Sequence, residues 1–236
     1  MFFHTQPSAV RIGRADHARI PATGAPEMVD ARTDARPDTG AIDRLGDRAG
    51  DPWGQRVIFL HSGKGAWWRL LEHVPAGQEW MTLAATADAA RLPSLLVDRG
   101  GRRTVLVAGV AVAALAIAAA LDQPGQVGGV MIIDDVGADT PLRRHWNALA
   151  ARFGRQAHDG LGDLEIELPA VHQPVTLLQG TEPADLFTRL ERGLTGCRTL
   201  TVVAVPDAVA VRPRTHAAEL RGALAALVAA VERAKR

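Results

Sequence analysis

Short, largely apolar runs recur along the chain from Arg56 onward, each followed by residues at helical spacing. Val57-Ile58-Phe59-Leu60, Trp80-Met81-Thr82-Leu83, Val105 to Ala108, Val130-Met131-Ile132-Ile133, Val175-Thr176-Leu177-Leu178 and Leu200 to Val205 have the composition of strands buried on both faces. The intervening spacing predicts helices over Trp67 to His73, Asp88 to Asp98, Val112 to Leu121, Pro141 to Phe153 and Ala184 to Leu194, with a closing helix over His216 to Lys235. Asp159 to Glu167, acidic and glycine-containing, reads as a solvated loop. Strand–helix alternation of this kind predicts an α/β protein with a mainly parallel, doubly wound sheet covered by helices on both faces.

Residues 1–52 follow a different pattern. Asp, Arg, Pro and Gly crowd the stretch from Gly24 to Gly50 and apolar residues come singly, so an extended N-terminal arm is expected before a domain spanning 53–236. A short strand around Ala9 to Ile12 is compatible with the arm.

Composition then removes whole classes of function. Hydrophobic residues make up 47% of the 236, enough for a large core, and 27 basic against 26 acidic residues leave a net charge of +1. That balance argues against affinity for nucleic acid through phosphate neutralisation. The single cysteine, Cys197, rules out an intramolecular disulfide and reads as a half-buried thiol. No metal is expected, because the eight histidines show no ligand spacing, and no cofactor is implied. Thr104 to Leu121 is uncharged but rich in Ala and Gly, which fits a buried strand and helix better than a membrane span. With no secretory pattern at Met1-Phe2-Phe3, the expected location is cytoplasmic.

In parallel sheets, ligand chemistry gathers at the carboxyl ends of the strands. The first strand runs into His61-Ser62-Gly63-Lys64-Gly65-Ala66-Trp67. The third runs into Ala108-Gly109-Val110-Ala111-Val112-Ala113. Asp134 and Asp135 follow the fourth and, with Asp139, could hold a hard cation, though capping of the helix from Pro141 is the simpler reading.

From Arg56 to Arg236 these motifs resemble the α/β-hydrolase fold, with a minimal lid or none. The resemblance implies that His61, Ser62, Gly63, Lys64, Gly65 and Trp67 belong to an oxyanion loop. It implies that Val110, Ala111 and Val112 occupy the nucleophile elbow, with an inert methyl where the serine hydroxyl would be. The family acid would fall at Pro183, with Glu182 and Asp185 nearby. The family histidine would fall near Val209, and the nearest imidazole is His216. Three roles are therefore unfilled, and the expected function is a non-catalytic binding or accessory subunit whose partner is another protein or an acyl-type small molecule. Two alternatives stay open. One is a serine esterase or acyl-thioesterase carrying a Ser-to-Ala change at 111, with Glu182 or Asp185 and His216 completing a triad. The other is a cyclase working by shape in the same pocket.

Overall fold

The computed structural model describes residues 48–62, 67–85, 89–97, 101–135, 162–183 and 185–234. All of these lie within the compact unit Asp43–Arg236. The predicted strand at Ala9 to Ile12 and the predicted helix at Pro141 to Phe153 fall outside the described residues.

Seven strands form one sheet in the order β1-β3-β2-β4-β5-β6-β7. They are β1 (Arg48–Gly50), β2 (Gln55–His61), β3 (Gln78–Ala84), β4 (Thr104–Gly109), β5 (Val127–Ile133), β6 (Val175–Gln179) and β7 (Leu200–Ala204). Strands β2 to β7 run parallel, and β1 alone pairs antiparallel, on the outer edge of β3. The mainly parallel, doubly wound architecture is the one the apolar runs predict.

Alternate residues of the strands supply two separate cores. Ile58, Leu60, Leu106, Ala108, Ile132 and Leu177 face one layer of helices, formed by α1 (Leu92–Leu95), α2 (Ala113–Asp122) and α4 (Asp185–Gly193). Val57, Phe59, Val105, Val107, Met131 and Ile133 face the other layer, formed by the 3-10 helix Trp67–His73 and the closing helix α5 (Ala217–Arg233). Helix α2 is buried from Ala113 through Ala120, which explains why its sequence is apolar all round rather than amphipathic. Helix α5 approaches β5 closely because Gly128 and Gly129 have no side chains. A Cβ at either position would meet Val231 within 3 Å.

Four sequence expectations change. Arg48 to Gly50, assigned to the arm, form the edge strand β1. Trp67 to His73 is a 3-10 helix, and the predicted helix of Asp88 to Asp98 shortens to a 3-10 turn, Ala89–Arg91, followed by α1. Within Asp159 to Glu167, expected as loop, Gly162–Glu167 is a helix, α3, tied to α4 by an ion pair from Arg189 to Glu165. That tertiary contact outweighs the weak local preference.

Strand β1 is held by a buried carboxylate. Glu79 on β3 has no exposed surface and pairs with Arg48 of β1 and, at 2.7 Å, with Arg56 of β2. Arg56 also donates to the Leu95 carbonyl at 2.8 Å. Removing the carboxylate strands the mostly buried Arg56, so Glu79→Ala is expected to cost about 3 kcal/mol in urea unfolding. Arg48→Ala, with 46% of its side chain exposed, is expected to cost less than about 1 kcal/mol. Equal costs would show that Glu79 is not the organising charge.

Candidate functional site at the strand tips

The carboxyl ends of β2, β4, β5 and β6 come together through the parallel register. Leu60 is level with Ala108, and Ala108 with Ile132, which is level with Leu177. The residues that follow, His61, Ser62, Ala111, Asp135 and Gln179, are all half-buried, whereas the strand interiors below them are fully buried. This rim is where side chains from different strands meet solvent and one another.

Ala111 sits in the middle of the 3-10 turn Val110–Val112, which joins β4 to α2. Val110 and Val112 are buried and fix the turn in the core, while the methyl of Ala111 is partly exposed at its apex. The turn closes by an Ala113 N–H to Val110 C=O hydrogen bond. A nucleophile elbow is a strained strand-to-helix bend. Here no residue of the turn has positive φ, for Asp207, at φ 60°, is the one non-glycine residue with positive φ among those described.

At the end of β2, the His61 ring lies nearly parallel to that of Trp67, with centroids 6.3 Å apart and planes at 13°. Trp67 is 2% exposed and also contacts Phe59, so it is a core residue that supports His61 from beneath. Ser62 is half-buried beside them. Gly63, Lys64 and Gly65 lie outside the described residues.

The remaining triad candidates are dispersed. Glu182 is exposed in the turn after β6, and Asp185 is exposed in the first turn of α4. His216 precedes the first residue of α5, and its Nδ1 accepts from the Arg212 N–H at 3.1 Å, within its own loop. Among the described residues no hydrogen bond or ion pair links His216 to Glu182 or Asp185. The loops after β6 and β7 are instead stitched by backbone. Thr181 N–H donates to the Ala208 carbonyl at 2.8 Å, and the Ala208 and Val209 carbonyls fill the space beside Gly180. Val209, at the expected histidine position, turns its side chain outward and is 65% exposed.

The group the sequence undervalued is Asp135. Its Oδ1 accepts the Val110 N–H at 3.0 Å. Its carboxyl group occupies the place a side chain would take at Gly109, with Oδ2 2.3 Å and Cγ 2.7 Å from an ideal Cβ there. Burial pushes its pKa up to about 6, against a lowering by the Val110 hydrogen bond and a further rise from the neighbouring Asp134. Asp134 is fully buried, and its carbonyl accepts the Val211 N–H at 2.7 Å. No cluster of metal-ligating side chains occurs among the described residues. Asp139, the third member of the cation reading, lies outside them. The doubled Asp after a fully apolar strand, opposite a terminal glycine on the neighbouring strand, is the signal that could have marked this residue.

One open groove is defined elsewhere, of about 270 Å³, lined by Asp51, Gly54, Gln55, Gly77, Arg102 and Glu232. It sits at the amino ends of β2 to β4, the opposite end from Ala111. Cys197 is half-buried, and its thiol donates to the Leu194 carbonyl, with burial raising its pKa. No helix among the described residues is long and apolar enough to cross a membrane.

Comparison with solved structures fits this geometry. A monoacylglycerol lipase of Paleococcus ferrophilus superposes with a TM-score of 0.56 at 15% identity, covering 78% of this chain and 98% of the other. Naproxen esterase of Bacillus subtilis gives 0.52 at 12% identity, covering 78% and 88%. A bacterial membrane phospholipase A gives 0.52 at 17% identity, covering 78% and 82%. The chain has the α/β-hydrolase fold. No protein-family profile matches the sequence, and no curated protein does either.

The buried carboxyl of Asp135 gives a stability signature with a definite sign. A carboxyl whose folded pKa lies above its unfolded value favours the fold fully below pH 3.8, and that contribution is lost as pH rises through about 6. Asp135→Asn keeps an acceptor for Val110 and removes the penalty of burying a charge. It is expected to be the more stable protein at pH 8, by on the order of 2–3 kcal/mol, with the advantage gone at pH 4. Urea unfolding at pH 4, 6 and 8 measures this. An advantage that grows toward acid would contradict the assignment.

Proposed function

We propose that this α/β-hydrolase-fold protein is a non-catalytic binding or accessory subunit that uses the strand-tip rim to engage its ligand or partner. One observation carries the reading: position 111 holds a methyl group in a turn without positive φ. A hydrolytic serine needs a hydroxyl raised on a strained bend, a base within hydrogen-bond reach and a group that orients that base. The chain supplies no hydroxyl at 111. The imidazole of His216 is bound within its own loop, and that of His61 lies face-on to Trp67. Triad members act as a unit, so losing them together removes selection on each. Glu182, Asp185 and His216 are then ordinary surface residues.

The reading distinguishes itself from that of a serine hydrolase altered at one position. A single lost hydroxyl is restored by a single substitution, whereas a turn of different backbone geometry is not. We expect neither the natural protein nor Ala111→Ser to be labelled by a fluorophosphonate probe or to hydrolyse p-nitrophenyl esters above the buffer rate. Stoichiometric labelling of Ala111→Ser, with ester turnover, would establish the hydrolase reading instead.

A further inference from the structure

The α/β face that carries Trp67 and α5 also carries a row of three residues at the sheet's carboxyl end. His61 follows Phe59 on this face of β2, Gly109 follows Val107 on β4, and Asp135 follows Ile133 beyond β5. Register makes the row continuous. Leu60 is level with Ala108, which puts His61 beside Gly109, and Gly109 is level with Ile133. Neighbouring strands are about 5 Å apart. Asp135 leans across β4 until its carboxyl fills the space above Gly109, so carboxylate and imidazole stand over adjacent strands of the same face.

We propose that the His61–Gly109–Asp135 row is a binding site for a compact planar cation, an amidinium or guanidinium, borne by the ligand or partner of this protein. The inference rests on the binding-subunit reading and names the chemistry bound. Asp135 forms no ion pair among the described residues, and the Val110 N–H and its own backbone N–H are the donors that offset its burial. Holding a carboxylate there without a cation is costly, and a polar group kept at a cost at the strand tips is a mark of function. The planar carboxylate suits two parallel N–H donors, which a guanidinium or amidinium presents and an ammonium does not. The flat surface beside it is the His61 ring, supported by Trp67, and planar cations stack on such faces. Gly109 is required because any side chain would push the carboxyl out of the row. Among the described residues the ionisable group that acts on Asp135 is Asp134 from its own segment. The tip of β4 and the turn at 110–112 contribute none.

Benzamidine, with an aromatic ring joined to a planar cation, is the probe, and benzamide is its neutral counterpart. Both are titrated into the full-length protein and followed by saturation-transfer NMR. Benzamidine is expected to bind at millimolar concentration at pH 8, with benzamide at least about tenfold weaker. At pH 5, with Asp135 mostly protonated, benzamidine binding is expected to fall about tenfold. Asp135→Asn should abolish the preference for the cation. Gly109→Ala, which displaces the carboxyl without removing it, should do the same in a protein shown by circular dichroism to be folded. Glu191→Gln, an exposed carboxylate on α4, should leave it intact. Absence of benzamidine binding, equal binding of benzamide, or a preference that survives Asp135→Asn would overturn the proposal. These outcomes are separate from fluorophosphonate labelling, which tests the binding-subunit reading by itself.

Discussion

Gly109 has no side chain, and a carboxyl group from just beyond the neighbouring strand fills the vacancy. Everything at the strand tips follows from that contact. The Asp135 carboxylate ties β5 to the first residue of the turn after β4 through the Val110 N–H, and Val110 and Val112 then anchor the turn in the core on either side of Ala111. The arrangement costs solvation energy, which the rise of the Asp135 pKa expresses. It is tolerated because the surrounding sheet, buried on both faces from β2 to β6, leaves the strands little freedom to move apart.

An active elbow and this turn each join a strand to a helix, by different backbone geometry. A catalytic bend stores backbone strain so that a side chain is thrust above the sheet, and the fold bears that strain as part of the mechanism. Here the chain passes from strand to helix through one 3-10 turn without positive φ. The neighbouring loops are consistent with this. The segment after β7 is committed to backbone hydrogen bonds with Thr181 and Asp134, and Val209 faces solvent.

The sequence exposed the sheet and hid its β1 edge. Strands β2 to β6 were legible because burial on both faces makes each a continuous apolar run, a pattern that needs no knowledge of the neighbours, whereas β7 was legible from its apolar composition although its residues are half-buried or exposed. Strand β1 was not, since Arg48-Ala49-Gly50 is polar and short and becomes a strand only because Glu79, distant in the chain, draws Arg48 to the edge of β3. Helix α3 was missed for a similar reason, its ion pair with α4 being invisible locally. At the site, small residues around position 111 marked the turn. The importance of Asp135 lay beyond local reading, because it depends on a glycine that belongs to a different strand and becomes adjacent only in the folded sheet.

The antiparallel strand β1 also sets where the folded unit can be cut. It covers the outer hydrogen-bonding edge of β3, which would otherwise offer unpaired N–H and C=O groups to any extended segment nearby. A chain shortened to begin at Trp53 would uncover that edge and deprive Glu79 of one of its two arginines. Self-association through β3 is then the foreseeable failure of such a truncation, whereas a start at Asp43 keeps β1 on that edge.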